Sequence, residues 1–223
     1  MDKTLKYLNL LTAFFAIILL VSNIVSTKII SVGPFTFDAG TLLFPLSYIF
    51  GDILTEVYGY KRTRKIIWTG FFMSLIAMVI FVVIGMWPAA PEWMHQDSYI
   101  IILGLTPRII GASLIAYFAG EFANSYIMAK MKIHTQGKHL WLRTIGSTIV
   151  GEGIDTVLFV LVAFYGVLST DLLILVLISN YVFKVTIEVL FTPITYAACR
   201  VLKRREQEDY YDYETQFNPF ILK

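Results

Sequence analysis

Residues 61–87 read KRTRKIIWTGFFMSLIAMVIFVVIGMW. Four basic residues, Lys61, Arg62, Arg64 and Lys65, precede a run from Ile66 to Trp87 that carries no charge, and Pro88 closes it. A helix rises 1.5 Å per residue, so about 20 such residues cross the roughly 30 Å of hydrocarbon in a bilayer. The stretch therefore predicts a transmembrane helix whose basic flank lies on the cytoplasmic side.

The rest of the chain repeats this pattern. Of 223 residues, 57% are hydrophobic and only 15% charged, with a mean hydropathy of +0.69. A soluble domain carries nearer a quarter charged residues. The fold class predicted is all-α, a polytopic membrane protein of six transmembrane helices with both termini cytoplasmic. The spans are placed at about Tyr7–Ile30, Thr36–Tyr58, Ile66–Trp87, Pro107–Ala129, Trp141–Leu168 and Asp171–Val201. A turn is expected at Gly33-Pro34. Residues 88–104 form a long loop with Trp93 and Tyr99 suited to the membrane interface. Residues 1–202 thus make one transmembrane domain. Residues 203–223 form a polar, aromatic cytoplasmic tail, read as solvated or lying in the interface.

The basic residues test the count. Fifteen of the 18 lysines and arginines lie before span one, between spans two and three, between spans four and five, or from Arg200 onwards. Every second connection is positive, which an odd number of spans would not give. The first apolar stretch has no small-residue cleavage site and reads as a retained helix. One cysteine, Cys199, forbids an intrachain disulfide, and His95, His134 and His139 sit in loops without ligand spacing. No metal and no cofactor are expected. The net charge of +2 says little about partners. Membrane lipid is expected as a partner, nucleic acid is not, and a homodimer is left open.

Inside the spans lie charges at helical spacing. Asp52 and Glu56 are four apart, Glu152 and Asp155 three, Lys184 and Glu188 four, and Glu121 lies three before Asn124. An ionisable group in hydrocarbon costs a few kcal/mol or more, so such groups face a bundle interior or a wet path. Counting 1.5 Å per residue from the span ends puts Glu152 and Asp155 roughly 17–21 Å deep and Lys184 about 20 Å deep, all near the midplane. Glu121 and Asn124 fall in the inner half, and Asp52 and Glu56 nearer the cytoplasm. Asn23 lies outside the midplane, and Lys28 snorkels to the outer surface.

Two readings compete for each group. The carboxylates, Lys184, Asn23 and Asn124 could line one cavity for a small, flat solute rich in N–H groups, with Phe44, Tyr48, Phe118, Phe159, Tyr181 or Phe183 on its ring. Such a set also suits proton coupling. Alternatively Glu152, Asp155 and Lys184 are an ion pair holding two helices, and Lys184–Glu188 a local pair. Asp52 and Glu56 would then be a helix end pairing with Lys61 or Arg62. Gly111-Ala112-Ser113 and Gly146-Ser147 read as close helix contacts. Ser22-Asn23 followed by Lys28 echoes Ser179-Asn180 followed by Lys184, and Gly51-Asp52 followed by Glu56 echoes Gly151-Glu152 followed by Asp155. These are either an internal repeat, as in many transporters, or chance.

Three motifs carry a resemblance. They are Gly51-Asp52-Ile53-Leu54-Thr55-Glu56-Val57-Tyr58-Gly59-Tyr60 with Arg62, Arg64 and Lys65; Leu140-Trp141-Leu142-Arg143 with Ser147-Thr148, Gly151-Glu152 and Asp155; and Phe183-Lys184 with Thr192-Pro193. The tail adds Tyr211-Asp212 and Phe217-Asn218-Pro219-Phe220. Over essentially its whole length the chain resembles the bacterial queuosine-precursor transporters, earlier grouped as vitamin uptake transporters. The resemblance implies a six-helix protein of the inner membrane that is not an enzyme. It implies uptake of a 7-deazaguanine base, with 7-cyano-7-deazaguanine first among candidates; it does not settle energy coupling, and a secondary or facilitated mechanism is the leading reading. The substrate-binding residues expected are Glu152, Asp155, Lys184, Asn124, Asp52, Glu56, Asn23, Glu121 and Glu188. The alternative is a substrate-binding membrane subunit of an ATP-driven importer. The chain itself has no phosphate-binding loop. An intramembrane enzyme is disfavoured because no protease-type motif is present.

Overall fold

A computed structural model describes residues 5–32, 35–104 and 107–221, and among these the chain forms seven helices and one short hairpin. Helix α1 (Leu8–Val25) ends five residues before the expected Ile30. The hydroxyls of Ser26 and Thr27 donate to the Ser22 and Ile24 carbonyls and close the last turn. Strand β1 (Ile29–Val32) then pairs antiparallel with β2 (Phe35–Asp38). The β-branched residues there favour an extended chain over another helical turn. The helical fold expected from the sequence therefore stands, with this hairpin added. The turn at Gly33-Pro34 lies outside the described residues.

Helix α2 (Gly40–Tyr58) and α3 (Tyr60–Met86) meet at Gly59 alone. The basic run Lys61–Lys65 is thus the first turn of α3 rather than a loop. Gly59 has φ +82°, and a β-carbon there would stand 2.2 Å from the Tyr210 ring. Both the backbone angle and the close approach require glycine. Gly59→Ala is expected to cost about 1–3 kcal/mol in backbone strain and to lift the tail off the elbow. Limited proteolysis checks it: cleavage within residues 207–219 should rise in Gly59→Ala. It should not rise in Gly166→Ala, where φ is +78° but nothing lies within 4 Å. Equal protection of the tail in both variants would refute the account.

Helix α4 (Gln96–Leu103) lies in the long loop with Ile100, Ile101 and Ile102 exposed, and Gln96 ties it to the Gly85 carbonyl at the end of α3. Helices α5 (Pro107–His134), α6 (Leu140–Phe164) and α7 (Thr170–Glu206) complete the bundle. Helix α5 runs past the expected Ala129, α6 stops short of Leu168, and α7 runs on past Val201. At 28 and 37 residues, α5 and α7 are roughly 42 and 55 Å long, longer than the hydrocarbon is thick.

Among the described residues, five stretches are long and apolar enough to cross a membrane: α1, α3, residues Gln96–His134, α6 and α7. Helix α2 is the sixth long helix, 19 residues and about 28 Å, and it escapes a hydropathy criterion because it carries the buried polar groups. It touches α1, α3, α5 and α7 and is buried without interruption from Gly51 to Tyr58. Apolar side chains such as Leu10, Ile76, Val83, Ile178 and Leu190 face outwards, as a bundle set in hydrocarbon requires. The chain is a multi-pass membrane protein.

The closest helix pair is α5 and α6, which cross at Gly120 and Gly151. A β-carbon at Gly120 would come within 3.0 Å of the Gly151 carbonyl, and one at Gly151 within 3.1 Å of the Gly120 carbonyl. Of the small residues expected at close helix contacts, Gly146 meets Met131 of α5 at 3.3 Å and Ala112 and Ser147 are buried, while Gly111 has nothing within 4 Å.

All the basic connections gather at one end. There the Glu206 carboxylate accepts from the Lys6 and Tyr7 amides (3.0 and 2.7 Å) and from the Tyr58 hydroxyl. By the positive-inside rule this end is cytoplasmic. The tail docks across it, so of the two readings, solvated or lying in the interface, only the solvated one is corrected. Asp212 is buried and accepts from the Tyr60 amide at 2.9 Å. Buried Arg64 donates to the Gln216 and Asn218 carbonyls, and Trp68 to that of Pro219. The Phe217 ring packs on Tyr60 and Tyr126, with the Lys130 ammonium 4.2 Å above it. Compositional polarity hid this because the tail pairs through its backbone and aromatic rings.

Candidate functional site

The intramembrane charges separate into three levels. The outermost is a cleft of about 60 Å³ in the half of the bundle away from the basic end. Asn23 and Ser26 come to it from the end of α1, Thr41 and Phe44 from the start of α2, Asp155 and Phe159 from α6, and Asn180 and Lys184 from α7. At its floor Lys184 donates to Asp155 Oδ2 at 2.6 Å, and its ammonium stands 3.1 Å from Glu152 Oε2. The Phe44 ring lies 4.6 Å from the same ammonium. Because α6 carries Glu152 and Asp155 three residues apart, both reach one point on α7. The cluster holds two carboxyl groups for one ammonium, so it favours a further N–H donor. The expected local pairing of Lys184 with Glu188 does not form: Lys184 is committed to α6. Behind the floor, the Tyr48 hydroxyl donates to the Gly151 carbonyl at 3.3 Å.

One turn further in, Asp52 of α2, Glu121 and Asn124 of α5 and Glu188 of α7 are all buried. Asn124 Nδ2 donates to Asp52 Oδ1 at 2.8 Å. Glu121 lies against α2 where glycine leaves room: a β-carbon at Gly51 would stand 2.8 Å from its Oε2. These four do not line the cleft.

The innermost level is built on Glu56. Its Oε1 accepts from Arg143 at 2.7 Å and from Lys203 at 2.6 Å, with Lys132 at 3.8 Å. The Lys132 ammonium also donates to the Glu56 carbonyl and to Asp209, which Lys203 approaches at 2.9 Å. Burial alone would raise the Asp209 carboxyl, but the hydrogen bonds from Lys132 and Lys203 outweigh it and hold it below the usual carboxylate range. Four helices and the tail meet at this lock. Glu56 does not pair with Lys61 or Arg62 as expected; Arg62 pairs with Glu208 at 2.8 Å.

The nine residues singled out from the sequence are thus not one cavity. Asn23, Asp155 and Lys184 share the cleft with Glu152 at its floor, Asp52, Glu121, Asn124 and Glu188 form the middle level, and Glu56 belongs to the lock. Lys28 is exposed, as expected of a snorkelling lysine. Half of the internal echo has a structural counterpart, since Asn23 and Asn180 face the same cleft while Lys28 does not. Of the aromatic candidates, Phe44 and Phe159 line the cleft. Phe118 packs instead among Trp68, Phe71 and Phe122. Sequence reasoning counted Lys132 and Lys203 only as charges of the connections and tail, and Arg143 as one such charge and as part of a motif, none of them as a partner of Glu56. Their signal was that each lies at a helix end within reach of the same level as Glu56.

A family model described as "Putative vitamin uptake transporter" matches residues 38–198, more than half of the chain and the part that contains most of all three levels. The chain belongs to this family, the queuosine-precursor transporters. Among family relatives, a "Probable queuosine precursor transporter" of Bacillus subtilis is 27% identical over 187 residues, covering 83% of this chain and 82% of that one. The "Queuosine precursor transporter" of Escherichia coli is 25% identical over 197 residues and covers 83% of each. A third relative, from Haemophilus influenzae, is 27% identical over 129 residues, 56% of this chain and 51% of its own. These relatives are named as transporters, not enzymes. No solved structure matches the chain.

Proposed function

We propose that this family member imports a queuosine precursor, a 7-deazaguanine base with 7-cyano-7-deazaguanine first among candidates, across the bacterial inner membrane by a secondary or facilitated mechanism. The observation that carries the proposal is the floor of the cleft, where Lys184, Asp155 and Glu152 meet, at a depth that residue counting puts near the midplane. Midplane ion groups at the foot of a path are typical of solute sites in transporters. A guanine-like edge presents N–H donors, which the surplus carboxyl group at the floor can accept. Asn23 and Asn180 offer both donors and acceptors, and Phe44 and Phe159 offer faces for a flat ring.

The test uses cells that lack their own synthesis of the base and carry the chain as their only importer. Queuosine in their transfer RNA then reports uptake. Losing one charge-assisted hydrogen bond of about 1.5–3 kcal/mol should lower uptake about ten- to a hundredfold in Asp155→Asn at equal membrane abundance. Undiminished uptake would refute the site. Transport by the purified chain in liposomes without partner or ATP is the expected outcome, and its failure there would favour an ATP-driven assembly.

A further inference from the structure

The middle level has no place in binding a base at the cleft, yet it holds most of the buried carboxyl oxygens without a hydrogen-bond partner among the described residues. Asp52, Glu121 and Glu188 have six carboxyl oxygens between them. Five of these (Asp52 Oδ2, both of Glu121 and both of Glu188) are buried with no hydrogen-bond partner among the described residues. Asn124, fully buried beside Asp52, spends its amide on Asp52 and leaves its own Oδ1 without a donor. What these four side chains lack is donors. No lysine or arginine forms an ion pair with any of the three carboxyl groups among the described residues, because Lys184 is committed to Asp155 and Glu152 and Arg143 to Glu56.

The surroundings supply little relief: the Ser47 hydroxyl stands near Glu121 but donates to the Phe44 carbonyl. Around Glu121 stand Tyr117 on its own helix, Tyr48 and Asp52 on α2, and Glu152 and Asp155 on α6. Glu188 on α7 faces Asp52, Glu121 and Glu152. The charged groups facing Asp52 from further in are Glu56 and Arg143. Acidic groups crowded in hydrocarbon must take up a cation or a proton. A metal ion needs ligands converging on one point, and no group of three such ligands among the described residues is arranged to hold one.

We propose that Asp52, Glu121 and Glu188 form a proton-carrying site, separate from the cleft, that couples proton entry to entry of the base. The inference rests on the transport reading above and gives it an energy source. The proton comes from water on the cleft side, rides on a carboxyl oxygen of the middle level, and leaves to the cytoplasm when the Glu56 lock opens. The site sits one helical turn from the lock on α2 and one turn from Lys184 on α7, so its charge is felt by both.

The experiment places the purified full chain in liposomes that enclose a pH-sensitive dye, with 7-cyano-7-deazaguanine added outside. The expected result is acidification of the lumen as the base enters. An imposed inward proton gradient should concentrate the base about tenfold per pH unit, for one proton per base. Glu121→Gln and Glu188→Gln should each let the base equilibrate without concentrating it, so that accumulation falls towards onefold. Two variants guard against one that does not fold, and the wild-type measurement needs neither. Base entry into wild-type liposomes with no proton movement, or entry driven by sodium alone, overturns the proposal. Wild-type liposomes that move neither base nor protons overturn the transport reading, and this proposal with it.

Discussion

Lys184→Met is expected to abolish uptake and to destabilise the protein more than any other single change at the cleft. The ammonium is the only cation bonded to Asp155 and Glu152 among the described residues. Removing it leaves two carboxyl groups without a counter-charge near the midplane. Breaking a buried pair from one side costs about 3–5 kcal/mol, because the desolvated partner remains. Adding Asp155→Asn to Lys184→Met should therefore return about 0.5–3 kcal/mol of stability, the range of coupling between contacting groups. It should return no uptake. Thermal unfolding in detergent reads the first effect and queuosine content the second. Full stability recovery with recovered uptake would make the trio a structural pair between α6 and α7 and nothing more. Uptake by Lys184→Met alone would dismiss the cleft floor as a site.

Glu56→Gln should have the second largest effect, and on stability first. Glu56 Oε1 holds Arg143 and Lys203 together at 2.7 and 2.6 Å with Lys132 close by. An amide keeps the shape but leaves three cations facing one another, with Asp209 alone to offset Lys132 and Lys203. Loss of about 3–5 kcal/mol is expected, as for any broken buried pair. Arg143→Met in the same chain should return part of it, since one unpaired cation is removed. A melting temperature within a degree of the parent would show that the lock contributes nothing. The Asp209 carboxyl, lowered by its two lysines, adds a pH dependence of defined sign. Its contribution to tail docking is present above the ordinary carboxylate range and is lost as pH falls through its lowered value.

The existence and order of the six long helices were legible because each apolar run is near the length the bilayer demands, whereas the short α4 fell in an expected loop. Their ends were not, where the deciding interaction is local or distant. Ser26 and Thr27 stop α1 through hydroxyl caps that hydropathy does not register. Gly59 ends α2 by one backbone angle, and the basic residues after it continue as helix. The docked tail was illegible because its partners, Arg64 and Trp68, lie some 150 residues earlier. At the site, Glu152, Asp155 and Lys184 were found together, since depth counted along two helices gave the same level. Asp52 and Glu56 were wrongly grouped. Spacing puts them on one face of α2, but one turn of rise gives them different neighbours, Asn124 for one and Arg143 with Lys203 for the other.

The strap formed by the tail also sets an order in time. Arg64 enters the membrane early, yet the carbonyls that satisfy it belong to Gln216 and Asn218, 152 and 154 residues later. At synthesis rates of about 5–20 residues per second, that guanidinium waits roughly 8–30 s for its partners. Glu56 waits similarly for Lys203, 147 residues on. Throughout that interval the inner ends of the early helices remain open to water or to whatever insertion factor holds them. The residues that seal the inner face are made some 150 residues after the helices they cover, so that face stays open until they emerge.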